Sequence, residues 1–257
     1  MLDPQRQRPN LLDQARAAAV DHRFELAASL AQRVLGEASI CLPALRVFAW
    51  AQLELGDERA LATFGRCAEL DPEDARAEVG QAIWHQQREQ HEQAVAHWLR
   101  AWELDPHNQP IRRALVRLTG ELPESALAEA IGLLRLGVWD QAAELLRQLQ
   151  REPAHRSDPA VSLGLITALR ALGAHRQAED LAVSLHATAP ACVKGLLYVA
   201  AIEEAEGRTL RGRELLARAE QADPGLVLFG DLARELSLVP AAPDCLRAGR
   251  PTLASVR

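Results

Sequence analysis

The chain has 257 residues, a formal net charge of −6, and 48% hydrophobic but only 4% aromatic residues. Its 29 basic residues are scattered, with no basic stripe, which argues against a nucleic-acid surface. No window approaches ~18 consecutive apolar residues, so no membrane insertion is expected.

The apolar content is mostly Ala, Leu and Val, and strand-like alternation is scarce, so the reading is all-α. The first ten residues, MLDPQRQRPN, contain no apolar run, so no signal peptide is expected. Residues 1–8 are expected to fray. The four cysteines, Cys41, Cys67, Cys192 and Cys245, fit no zinc spacing. Lys194 is the one lysine, a bias that suits a GC-rich bacterial genome. Together these features point to a cytoplasmic protein.

Glu-Leu-Asp-Pro occurs at residues 69–72 and again at 103–106, 34 residues on. The same interval separates Ala60 from Ala94, Phe64 from Trp98, Cys67 from Ala101, and Trp50 from Trp84. Pro190 and Pro224 repeat it later in the chain. One column reads Ala15, Ala49, Ala82, Ala130, Ile166 and Ala200, small at every place but Ile166, and a second reads Ala27, Ala60, Ala94, Ala142, Ala178 and Gly212, small throughout. Two antiparallel helices come close only where side chains are small. Gly56, Gly137, Gly173 and Gly207 fall where one helix must turn into the next.

This pattern resembles the tetratricopeptide repeat (TPR) family, whose unit is a 34-residue helix–turn–helix. The resemblance implies a right-handed α-α superhelix of about six repeats. Units one to three would cover residues 9–108, and units four to six residues 122–226. The stretch QPIRRALVRLTGE, 109–121, does not fit a unit and is expected as an inserted helix, with Ile111, Leu115 and Leu118 facing inward and Arg112, Arg113 and Arg117 along it. Residues 227–239 are expected as a capping helix, because a solenoid exposes the apolar face of its last unit. Residues 240–257, with three prolines, are expected as a disordered tail carrying an exposed Cys245. The family's aromatic at repeat position 11 is absent, replaced by residues such as Ala18, Gln52, His85 and Leu169.

Chemical motifs are scarce. No phosphate-binding glycine loop and no nucleophile elbow occurs, and neither Ser162 nor Ser184 has an assignable acid–base partner. His85, His91 and His97 are spaced in six-residue steps that do not share a helix face and His107 lies ten residues further on, so the four read as solvated helix ends rather than metal ligands. Cys67 occupies a packing position. Acidic residues gathered at 54–78, among them Asp71, Glu73 and Asp74, read as a solvated edge of turns and helix starts. No cofactor, metal site or catalytic residue is expected.

The resemblance implies that the first helix of each unit lines a concave face that meets ligands. Carried over position by position, this marks Arg46, Trp50, Arg76, Ile83, Leu163, Thr167, Arg170, Lys194, Leu197 and Tyr198 as candidate contacts to a protein or peptide. The Lys/Asn clamp for a peptide carboxylate is missing, since Leu12 and Arg16 take the first-unit positions. An apolar groove with isolated cations suits a helix or extended peptide with hydrophobic anchors and some acidic character. The leading expectation is a non-enzymatic scaffold. A self-associating homo-oligomer, favoured if Trp102 and Trp139 are exposed, and an accessory regulatory subunit of an enzyme complex are the alternatives.

Overall fold

A computed structural model describes residues 10–38 and 40–239. The expectations for residues 1–8, for the tail 240–257 and for Cys245 lie outside the described residues. Within them the chain is all-α. The helices run α1 (Leu11–Val20), α2 (Phe24–Glu37), α3 (Leu42–Glu54), α4 (Ala60–Leu70), α5 (Ala75–Gln86), α6 (His91–Leu104) and α7 (Gln109–Thr119). They continue with α8 (Ala126–Leu136), α9 (Trp139–Arg151), α10 (Pro159–Ala171), α11 (His175–Thr188), α12 (Val193–Ala205), α13 (Thr209–Ala222) and the short α14 (Gly230–Glu235).

The helices pack as six hairpins: α1 with α2, α3 with α4, α5 with α6, α8 with α9, α10 with α11, and α12 with α13. The small-residue columns explain the closeness of each pair. Ala15, Ala49, Ala82, Ala130, Ile166 and Ala200 are all 0% exposed. Ala27, Ala60, Ala94, Ala142, Ala178 and Gly212 form the buried column on the second helices. Between units, Phe64 reaches across to α5, where a Cβ on Gly80 would lie 2.2 Å from its ring. The aromatic filler therefore requires the glycine opposite it.

The two helices of a hairpin start differently. Side-chain oxygens of Asn10, Asp74, Ser125 and Asp158 cap the first helices α1, α5, α8 and α10. The second helices lack such caps and follow a left-handed residue instead. Gly56, Gly137, Gly173 and Gly207 hold φ between 71° and 78° at that turn. In units one and three the same conformation falls on His22 (φ 57°) and Glu89 (φ 59°), which carry a Cβ that disfavours it.

First helices stack on one another from unit one to two, from two to three and from four to five. Across the insertion the contact passes through α6, against which both α7 and α8 rest. Ile111 and Leu115 of α7 are buried with Trp98 and Trp102, and Leu118 packs beside them. This break in the stack precedes the most consequential feature of the fold. One hydrophobic core contains Leu42, Leu45 and Phe64 of unit two together with Val193, Leu196 and Leu197 of unit six. The array therefore folds back, and its sixth unit packs against its second. Residues 227–239 join this core, helical only over Gly230–Glu235 after a 3-10 turn at Pro224–Leu226. Gly225 (φ 69°) and Leu226 (φ 48°) prevent α13 from continuing into them.

Replacing Glu89 by Gly removes the Cβ from a left-handed position and is expected to stabilise the fold by about 1 kcal/mol. Gly173→Ala, at the equivalent turn, is expected to destabilise it by a similar amount. Thermal unfolding of both variants checks this; a lower Tm for Glu89→Gly would contradict the turn geometry.

Candidate functional site

The ten candidate contacts lie on the first helices α3, α5, α10 and α12, and three of their four charged groups are held in ion pairs. Arg46, on α3, donates from Nε to Asp74 (2.7 Å) and from a terminal nitrogen to Asp71 (3.0 Å). Asp74 also accepts from the backbone N–H of Arg76 and so caps α5. Lys194, on the first turn of α12, pairs with Glu73 in the α4–α5 turn. Burial disfavours the Lys194 charge, but Glu73 and Asp71 outweigh that and hold its pKa above the usual lysine range. Burial pushes the Asp71 carboxyl up, against Lys194 and Arg46, which favour its charge.

Asp71, Asp74 and Glu73 thus correct the expectation of a solvated acidic edge. Asp71 and Asp74 are buried and meet Arg46 of α3, and Glu73 meets Lys194 of unit six. Glu54, Glu58 and Glu69 do remain exposed. The histidines need a similar correction. His85 and His97 sit on opposite helices of one hairpin, stacked with centroids 5.2 Å apart, and His97 Nδ1 lies 2.8 Å from Glu78. The six-residue spacing argument applies within one helix and misses pairing across two. His91 and His107 are exposed.

The ten candidate contacts divide into three groups. Arg46, Trp50 and Arg76 line a cleft of about 580 Å³ together with Arg16, Val20 and Leu228. Arg76 is exposed and forms no ion pair among the described residues. Leu163, Leu197 and Tyr198 are buried, while Ile83 is partly buried against the core. Thr167 is exposed, with its hydroxyl donating to the Leu163 carbonyl at 2.9 Å. Arg170 pairs with Glu235 at 3.0 Å and lies 5.6 Å from the Tyr198 ring, and Lys194 pairs with Glu73. Burial raises the Tyr198 pKa, with a hydrogen bond to Thr167 acting against it.

Arg16, Leu228 and Glu235 were not among the candidates. Arg16, Arg46 and Arg76 recur at intervals of 30 residues, one on each of the first three inner helices, and that periodicity was the available signal for Arg16. No local pattern announces Leu228 or Glu235 at sites so distant in sequence.

A second cleft of about 580 Å³ separates Pro72, Glu78 and Arg100 from Pro159, Pro190 and Ala191. Arg100 bridges to Asp158 across 58 residues at 2.6 Å. Burial pushes the Cys67 thiol up to about 12 and Cys192 up to about 11, and raises Cys41. Thiols so protonated are poor nucleophiles. Among the described residues no group of three or more His, Cys, Asp or Glu could hold a metal ion. Trp102 is buried and Trp139 is partly exposed.

No protein-family model matches the chain, and no curated protein matches it. Among solved structures it is similar to a point mutant of MamA, with 17% identity and a TM-score of 0.37 over 66% of this chain and 91% of that one. It is also similar to the TPR domain of P58(IPK), with 13% identity and a TM-score of 0.38 over 89% of this chain and 64% of that one.

The Lys194–Glu73 pair is mostly shielded from water, so breaking it from one side should cost about 1–2 kcal/mol. Lys194→Met and Glu73→Gln are expected to be coupled, with the double variant losing clearly less than the sum of the singles. Additivity within about 0.3 kcal/mol in denaturant unfolding would contradict the pairing. The 34-residue phase, the helix hairpins and the left-handed turns make the fold of this chain a solenoid of the TPR type.

Proposed function

We propose that the chain is a non-enzymatic scaffold that holds a protein or peptide on the inner face of its first three units. The observation that carries this reading is the cleft between α1, α3 and α5. It combines exposed apolar surface, with Val20 78% exposed and Leu228 37%, with three arginines. Asp71 and Asp74 neutralise Arg46, whereas the guanidinium of Arg76 meets solvent. Such a surface suits a segment with an apolar anchor flanked by acidic side chains, since charge complementarity governs specificity and encounter rate. Buried, unpaired thiols at Cys41, Cys67 and Cys192 suit a reducing cytoplasmic setting. Among the described residues no helix is long and apolar enough to cross a membrane.

Capture from native extract, quantified by mass spectrometry, tests the cleft. The wild-type protein and an Arg113→Glu control on α7 are expected to retain the same partner. The double variant Arg16→Glu plus Arg76→Glu is expected to lose at least tenfold of it, about 1.4 kcal/mol of binding. Equal capture by all three would remove the cleft as the site. Turnover of a small molecule that depends on these arginines would overturn the non-enzymatic reading.

A further inference from the structure

Residues 223–239 do more than cover the end of α13. The Asp223 side chain, 0% exposed, accepts from the backbone N–H groups of Leu228 (2.7 Å) and Phe229 (3.0 Å), which ties the chain into a return loop. Phe229 then sits 5.8 Å from Lys194 Nζ, at the start of α12. Glu235 reaches Arg170 of α10, and Leu236 lies beside Ala201, Ile202 and Ala205 on the last turns of α12. The segment therefore runs along α12 in the same direction as that helix. Leu232 and Leu236, one turn apart, pack against both large cores of the molecule.

The segment carries what a ligand of this face needs: leucines spaced by one helical turn and a carboxylate that meets a cation. Its hold is uneven: Phe229 and Ala233 are buried in the core, whereas the side that carries Leu232, Glu235 and Leu236 is more open. The Glu235 side chain is 62% exposed in its pair with Arg170, and Leu232 and Leu236 are only partly buried. A surface ion pair of this kind contributes about 0–1 kcal/mol. Beneath Leu236 lies a cavity of about 180 Å³ between α10, α11 and α12. Two residues with side chains, Leu226 (φ 48°) and Ser237 (φ 59°), take left-handed conformations at either end, each at a cost of about 1 kcal/mol or more.

We propose that the inner face of α10 and α12 is a docking site for a short amphipathic helix of a partner protein, one with two leucines a turn apart and a neighbouring carboxylate. Residues 228–236 are its occupant in cis, and a partner helix of the same chemistry displaces them. This site is separate from the α1–α5 cleft, although release of the segment also withdraws Leu228 from that cleft.

The test uses the full-length chain and a labelled synthetic peptide spanning residues 226–239, followed by fluorescence anisotropy. The double variant Leu232→Asp plus Leu236→Asp, whose own segment is released, is expected to bind the peptide at least tenfold more tightly than wild type. Adding Arg170→Glu to that variant should weaken binding at least tenfold, and a peptide with Glu235→Arg should restore it. Equal binding by wild type and the double variant overturns the proposal, as does indifference to the Arg170 charge reversal.

Circular dichroism reports whether the double variant folds. If it does not, hydrogen exchange on the wild type decides: residues 228–238 are expected to exchange together, at least 100-fold faster than α12. Exchange of both only on global unfolding makes the segment permanent core and overturns the idea. Sedimentation is expected to show a monomer. A wild-type dimer lost on Leu232→Asp plus Leu236→Asp would make the occupant a second copy, against the proposal.

Discussion

The α12 helix can rest on unit two only if the charges at their meeting point are matched. Its first turn brings Lys194 down onto the α4–α5 turn, where Glu73 receives it, 121 residues away in sequence. Next to this pair, Arg46 holds Asp71 and Asp74, so cations and carboxylates alternate across a surface largely removed from water. Partly buried ion pairs add little net stability, because desolvation offsets much of their attraction. An unmatched charge at this position would nevertheless be costly. The pairs therefore select one way of closing the array, while the apolar surface of Leu42, Leu45, Val193 and Leu197 supplies the driving force.

That closure leaves the first helices in two different settings. In a stack that stayed open, all first helices would present a continuous groove. Here the face of α10 and α12 is covered by residues 226–236, whereas the α1–α5 face keeps its cleft. Arg170 and Lys194 are accordingly tied to Glu235 and Glu73, and Arg76 is left toward solvent. One inner surface thus serves internal cohesion at one end and offers a mixed apolar and cationic surface at the other.

Much of the fold was legible because it follows from local spacing. The alanine columns, the turn glycines and the inward Ile111 and Leu115 of α7 are set by the residues of one or two adjacent helices. The fold-back was not legible, because Glu73 and Lys194 carry no mark of their pairing, and a carboxylate beside a turn looks solvated in either arrangement. The stacked His85 and His97 were missed for a related reason: a hairpin brings together residues whose spacing along one helix would separate them. Similarly, the leucines of residues 226–236 announce an apolar face but not which surface receives it.

Unit six returns to unit two, and a distance across that junction tests this closure directly. Glu69, on α4, and Ala191, before α12, both border one cleft. Spin labels at Glu69→Cys and Ala191→Cys, with Cys245→Ser, leave the buried thiols of Cys41, Cys67 and Cys192 in place. Pulsed electron resonance is expected to give one narrow distance below about 30 Å. An array that stayed open would place three units and the inserted α7 between them, so four steps from unit two to unit six at roughly 10 Å per packed helix layer, or about 40 Å and beyond. A single population at that longer distance would contradict the closed architecture, and with it the assignment of the inner face.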